Sequence, residues 1–410
     1  MRKPLKNSID YYILPNKILC SMYGMWPSIE ESSTRRTVLA SFHLVFSLII
    51  VCSIYVPEII IVAKNWNDLK ALTGAGCIVL SLTQLVFKTF YLIAKREKAH
   101  TVYNELRSLW ATTDDPLERQ SYEMFADWAR TCTIVFFVSS ISTATMFMIS
   151  ATFDYIRDMY TNNGTESTRH LPYDVWNGID SIRSPDFEII FAGQMAASFT
   201  CCFAICGLDC TCMTAILHLS GQFRLISTWF INIGIKMDCR QMDYSHNCPS
   251  NLATELIKCI RHHQRLINVV NEVNDLLTPI IFVQLLTSGL EICLSGFVVI
   301  SNDAGDDIFK FISYLLSMTI QLLLFCWPGE ILIQESQEIG CSLYLNVPWY
   351  KLPPIYRRQL SLIILRSQKY CTISALTFQA MSIHTLTAVL NTAASYFALL
   401  RQLQEQSIWQ

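Results

Sequence analysis

Charge is what this 410-residue chain has least of. Asp, Glu, Lys and Arg make up 16% of it, against about 25% in a soluble globular protein. A net charge of -2, with no basic run interleaved with aromatics, indicates no nucleic-acid partner. G-x-S-x-G, H-E-x-x-H and P-loop patterns are all missing, so no enzyme is expected and no cofactor is implied. No period of 20–50 residues marks a solenoid. The stretch MRKPLKNSIDYYILPNKIL is basic but has neither an early apolar core nor a cleavage site. No removable signal peptide is expected, and membrane insertion would start from an internal helix.

Cysteine is plentiful but sits in the wrong places for a disulfide framework. Most of the 16 cysteines lie inside apolar runs such as CCFAIC at 201–206, and segment 154–188 has none. They read as small packing residues. Cys239, His246, Cys248, His262 and His263 cluster loosely, but their spacing matches no zinc pattern and no metal site is expected.

What the chain does have is apolar length. Seven stretches reach the roughly 20 predominantly apolar residues that cross a bilayer: 38–57, 71–94, 131–153, 189–208, 276–300, 311–329 and 370–400. The expectation is an all-α polytopic membrane protein with seven transmembrane helices. Basic residues orient it. With the amino terminus inside, segments 1–37, 95–130, 219–270 and 333–369 are cytoplasmic and hold 23 of the 31 Lys and Arg. After seven crossings the carboxyl terminus is extracellular. The sequon Asn163-Gly164-Thr165 then falls in the extracellular segment 154–188, which agrees with glycosylation at Asn163. The inner segments keep a helical apolar spacing, as in NLATELIKCIRHHQRLINVVNEVNDLL (251–277). Segments 219–275 and 333–369 are expected to form helices that project into the cytoplasm and pack together as an anchor.

Four charges fall within or at the edge of spans: Lys88, Asp209, Glu291 and Glu330. Such groups are expensive in hydrocarbon and need a partner or water. Lys88 stands about 10 Å from the inner boundary and is expected to snorkel. Asp209 and Glu330 end their spans and are expected to reach inner water. Glu291 is deepest and should have a buried interhelical partner. The last span is odd in another way. His384, Thr387, Asn391, Ser395 and Gln402 share one stripe, while Leu386, Val389, Leu390, Ala393, Phe397 and Leu400 take the opposite side. A lipid-facing helix has no use for that stripe; it either packs on other helices or faces water.

Several ordered residues resemble the insect odorant receptor family over essentially the whole chain. Cys326-Trp-Pro-Gly329-Glu330 is followed by Ser336, Tyr344, Trp349, RSQKYCTISA (366–375) and Asn391-Thr392-Ala-Ala-Ser395-Tyr396-Phe397. Asp209, His218 and Gln222 also resemble the family pattern, and ILPNKILCSMYGMWP (13–27) is similar to its amino-terminal helix and turn. The resemblance implies an odorant-gated, non-selective cation channel in the plasma membrane of a sensory-neuron dendrite. It implies a tetramer in which this tuning subunit assembles with a common co-receptor, and the segment 376–405 lines a pore for cations. The long insertion of the co-receptor is absent between the fourth and fifth spans. The family's gate position matches Leu399; with Leu403 it would close an apolar ring, with Asn391 and Ser395 leading to it and Gln402 beside it. The implied pocket for a small volatile odorant lies in the outer half of the bundle. Its matching residues are Gln84, Phe87, Thr143, Phe147, Met195, Phe199 and Tyr314.

Two rivals stay open at this point. A G-protein-coupled receptor would place its amino terminus outside and carry Asp-Arg-Tyr and Asn-Pro-x-x-Tyr, neither of which is found in the expected span. A gustatory-type chemoreceptor without an intrinsic pore would end on a Thr-Tyr-…-Gln-Phe pattern that is also absent. A transporter's paired, Gly/Pro-broken halves are not evident.

Overall fold

The computed structural model describes residues 8–26, 34–66, 69–110, 115–161, 171–173, 185–240, 250–300, 308–376 and 379–408. Among them are α1 (Ile9–Tyr12), α2 (Leu14–Tyr23), α3 (Thr34–Lys64), α4 (Leu69–Ala94), α5 (Arg96–Trp110) and α6 (Pro116–Thr161). There follow α7 (Asp186–Arg240), α8 (Ser250–Ile300), α9 (Ile308–Asn346), α10 (Pro354–Gln368) and α11 (Ile383–Ile408). A two-residue hairpin, β1 (Ser374–Ala375) with β2 (Gln379–Ala380), pairs antiparallel with Ser374 opposite Ala380. Asn163, His246 and Cys248 lie outside the described residues.

Seven helices, α3, α4, α6, α7, α8, α9 and α11, are long and apolar enough to cross a membrane. Four of them are far longer than a crossing requires. α7 has 55 residues, about 80 Å at 1.5 Å per residue, while a hydrocarbon core is about 30 Å thick. The excess continues past the apolar windows and makes a second packed layer. Residues 219–240 are the tail of α7, 250–275 the head of α8, and 333–346 the tail of α9, with α10 beside it. Phe223, Phe230, Leu256, Leu266, Ile339 and Leu343 are fully buried in one shared cluster. An Arg224–Glu335 ion pair at 2.6 Å ties α7 to α9, and Trp229 packs on His262 with ring centres 5.1 Å apart. Within the segments 219–275 and 333–369, residues 219–240, 250–275 and 333–346 are extensions of the spans themselves, and α10 is a separate helix packed beside them.

α2 lies beneath this bundle and ends at Gly24, whose φ of +86° is left-handed. Its N–H donates to Ser21 O, and that of Met25 to Cys20 O. This is the glycine stop that satisfies the last carbonyls of a helix.

The apolar run 370–400 and the proposed lining segment 376–405 predict a helix earlier than one forms. α11 begins only at Ile383. The preceding residues are held in extended form by partners elsewhere. Cys371 N–H donates to Ser336 Oγ (3.0 Å), Ser374 N–H to Asn274 Oδ1 (2.8 Å) and Met381 N–H to Ile373 O (2.8 Å). Ile373 and Met381 are fully buried. Tertiary hydrogen bonds and β-branched Thr372 and Ile373 win over hydropathy here. The helix then starts on Ser382, whose Oγ accepts the Thr385 N–H (3.3 Å). Glu330 accepts the Ile383 N–H (3.2 Å), putting an acidic group at the positive end of α11.

Gly329 makes this approach possible. A methyl group at residue 329 would overlap the backbone carbonyl of Met381. Gly329→Val is expected to push the 371–382 segment off α9 at a cost of about 1–3 kcal/mol. A lowered thermal unfolding midpoint of the purified receptor checks this; an unchanged midpoint rejects the contact.

Candidate ligand cavity and lining helix

A cavity of about 110 Å³ lies between α3, α4, α6, α7 and α9, at the end of the bundle that carries segment 154–188. Its wall is aromatic and soft: Phe136, Phe147, Tyr173, Tyr314 and Met318. Phe147 stands at its centre, with Tyr173, Phe311 and Tyr314 rings around it at 5.5, 6.1 and 6.4 Å. Such pairs add to burial through ring quadrupoles. Tyr173 covers the cavity and is pinned to α7. Gln194 accepts its N–H (3.2 Å) and donates to its carbonyl (2.9 Å), and Ser198 donates to its hydroxyl (3.1 Å). At about 110 Å³ it is smaller than the apolar void of roughly 150 Å³ that takes benzene, so a ring-sized ligand requires the wall side chains to yield.

Of the residues singled out in the sequence, Thr143, Phe147 and Tyr314 meet in this lining. The other four do not. Phe87 is half-buried and stacks on Tyr91 at 6.0 Å. Met195 is exposed and Phe199 half-buried; the lining face of α7 carries Ser198, Cys201, Cys202 and Ile205. Gln84 is buried in a separate polar network. Sequence reasoning missed Ser81, Phe136, Ser140, Tyr173, Ser198 and Met318. Tyr173 had a weak signal, the apolar-aromatic Leu171-Pro172-Tyr173 that follows the polar run 161–170. Of the rest, Phe136 and Ser140 lie seven and three residues before Thr143, and Met318 four after Tyr314, so helical spacing alone could have added them.

One end of the cavity touches buried polar groups. Tyr314 OH and Ser81 Oγ are 2.6 Å apart, Ser81 donates to Glu291 Oε1 (3.0 Å), and Tyr314 donates to Cys77 O (3.0 Å). Glu291 is fully buried with an interhelical partner, as its depth predicts. Below lies the strongest electrostatic feature of the membrane region. Lys88 Nζ donates to Asp209 Oδ1 (2.5 Å) and Gln284 Oε1 (2.6 Å), and Gln321 donates to Asp209 Oδ2 (2.6 Å). Gln84 donates to Gln284 and accepts from Thr287 (2.6 Å), and Gln284 donates to Ser288 (2.8 Å). Four helices, α4, α7, α8 and α9, are joined. The expectations for Lys88 and Asp209 are corrected here. Lys88 does not snorkel and Asp209 does not reach water, because each is buried and supplies the other's counter-charge. Hydropathy places a charge along a helix but cannot say that another helix offers a partner.

α11 is covered on one side only. Leu386, Val389, Leu390, Phe397 and Leu400 pack on the core and Ala393 is buried. His384, Thr387, Asn391, Ser395 and Gln402 are all exposed. A smaller share of α11 is buried than of any other span. The Thr387 and Ser395 hydroxyls bond back to His384 O and Asn391 O. Leu399 is 52% exposed beside the polar stripe, while the Leu403 side chain lies outside the described residues.

Seven helices of membrane-crossing length around a small aromatic cavity define the class, a multi-pass membrane protein. The 7tm odorant receptor profile matches residues 68–394, and the chain belongs to that family, a family of receptors and not of enzymes. It is similar to "Odorant receptor 10" of Aedes albopictus, 26% identical, with 82% of this chain and 86% of that one covered. "Odorant receptor Or2" of Anopheles gambiae is 24% identical over 83% of this chain and 86% of its own. The fold is also that of the insect olfactory receptor OR5 from Machilis hrabei, with a TM-score of 0.78 at 13% identity, covering 96% of this chain and 98% of that chain. The same receptor solved in complex with eugenol gives 0.76.

Proposed function

We propose that the chain is the odorant-binding, tuning subunit of a ligand-gated, non-selective cation channel. The observation that carries this reading is the uncovered face of α11. Exposed Asn391, Ser395 and Gln402 are poor partners for lipid; against water in a path shared by several chains, they are satisfied. Leu399 beside them supplies the apolar constriction of a gate that closes by dewetting, and Leu403 follows one turn on. The assembly is a heterotetramer with a co-receptor subunit, in the plasma membrane of a sensory-neuron dendrite. The amino terminus is cytoplasmic, and segment 154–188, with a glycan at Asn163, is extracellular. The ligand is a small volatile molecule, as the eugenol complex of the Machilis receptor supports by analogy, and it is held in the cavity around Phe147 and Tyr314. Ligand shifts the gate only through differential affinity for the two states. Ser81 and Tyr314 line the cavity, Ser81 bonds to Glu291, and Glu291 interacts electrostatically with Lys88; this gives it a route.

Whole-cell recording with and without a co-receptor, under an odorant panel, tests the proposal. A fast cation current that survives G-protein block is expected only when both subunits are present. G-protein activation without current under any pairing rejects it in favour of a receptor lacking a pore. Phe147→Leu removes the ring at the centre of the cavity wall, and the half-maximal odorant concentration is expected to rise roughly tenfold at unchanged maximal current. A dose–response curve that does not move would place the ligand elsewhere.

A further inference from the structure

A second cavity, of about 300 Å³, lies at the opposite end of the bundle, walled by α2, α3, α4, α5, α7 and α8. α5 gives it one helical stripe: Arg96, Ala99, Val102, Tyr103, Leu106 and Arg107. The deep wall is apolar and buried, as at Val102, Leu208, Val273 and Leu276. Its polar groups are already engaged. Asn16 donates to Thr214 Oγ1 (2.7 Å) and Cys210 O (3.2 Å), Thr211 donates to Gly207 O (2.7 Å), and His218 Nε2 lies 2.9 Å from Leu106 O. Arg107 is paired with Asp10 at 3.4 Å. An interior this apolar, with its main polar side chains bonded to the protein, suits a hydrocarbon chain.

The rim is different. Ser41, Ile93 and Arg96 are exposed there. On the same end of α3, Leu39, Phe42 and Phe46 turn 71%, 70% and 61% of their surface outward, a face that belongs in lipid. Arg96 stands two residues past the span Leu72–Ala94, at headgroup level. Among the described residues it makes no hydrogen bond or ion pair. A guanidinium without a protein partner, at headgroup depth and over an apolar cleft, matches one chemistry: phosphate above, acyl chain below. Its planar fork binds phosphate oxygens in pairs. The volume of about 300 Å³ falls at the lower end of small-molecule sites, roughly 300–1,000 Å³, room for the upper part of a single chain.

We infer that this cleft is a lipid site that takes one acyl chain of an anionic phospholipid and holds its phosphate on Arg96. The inference is independent of the odorant cavity and of ion conduction.

Native mass spectrometry of the delipidated full-length receptor tests it, with dioleoyl phosphatidic acid, dioleoyl phosphatidylcholine or oleate added. One phosphatidic acid retained per chain is expected, in preference to the other two. Arg96→Gln should weaken it about tenfold, the effect of losing one charged hydrogen-bonding group. Ala215→Trp, which fills the wall, should remove it. Lys95→Gln, adjacent but outside the lining, should leave it unchanged. Arg96 is exposed, so its variant reports on binding even if the tryptophan variant does not fold. Phosphatidic acid held as tightly by Arg96→Gln as by wild type, or equal retention of phosphatidylcholine, or oleate retained alone, would overturn the assignment.

Discussion

Asp209→Asn is expected to be among the most damaging single changes in the membrane region. The carboxylate is fully buried and accepts from both Lys88 and Gln321. Neutralising it leaves the Lys88 ammonium buried without its counter-charge, supported by Gln284 and the face of the Phe325 ring 5.4 Å away. Removing one partner of a buried pair typically costs about 3–5 kcal/mol, because the survivor keeps its desolvation penalty. The receptor should therefore lose surface delivery and unfold at a clearly lower temperature in detergent. Lys88→Met should do the same from the other side. Combining Lys88→Met with Asp209→Leu should recover much of the loss, since no charge then remains to be solvated. Should the single variants prove as stable as wild type, the two groups are not paired in the folded receptor. The double variant also separates stability from signalling. If it is delivered to the surface but no longer responds to odorant, the network carries the signal as well as the fold.

Leu399→Ala is expected to raise unliganded current about tenfold when co-expressed with a co-receptor. If the exposed leucines meet around an axis in the closed state, each loses about 1–2 kcal/mol of apolar contact on truncation, and every 1.4 kcal/mol is tenfold in an equilibrium. The estimate is for each altered leucine. Leu390→Ala, on the side of α11 that packs against the core, should instead lower expression without adding leak. The contrast matters because any core truncation could loosen the bundle. Equal leak from both, or from neither, would remove Leu399 from the gate.

The seven spans were legible because hydrocarbon is a simple solvent: backbone groups must pair internally, so long apolar helices announce themselves. The side of α11 that packs was legible for a related reason. Leu386, Val389, Leu390, Ala393, Phe397 and Leu400 repeat at helical spacing, and they are the residues found against the core. The hairpin before α11 was not legible. YCTISALTFQA carries no charge and runs on into the last span, and the extended form of Cys371 and Ser374 depends on Ser336 and Asn274, 35 and 100 residues away in sequence. Charge partners were hidden in the same way, with Lys88 and Asp209 separated by 121 residues. The cavity was read only in part. Thr143, Phe147 and Tyr314 face it, but which face of α7 turns inward is decided by packing on α6 and α9, and a uniformly apolar helix carries no mark of that choice.

The bonds at the base of α11 constrain how that helix can move. Asn274 and Glu330 hold residues 374 and 383 to two neighbouring helices, whereas the stretch near Leu399 is only lightly covered. Sliding along its axis would tear both attachments, whereas tilting about the base keeps them and lifts chiefly the contacts of Phe397 and Leu400 near the tip. Leu399 lies 16 residues beyond that pivot, about 24 Å along the rod. A swing of some 10° at the base then carries its tip through roughly 4 Å, more than a water molecule's diameter, with the hinge bonds intact.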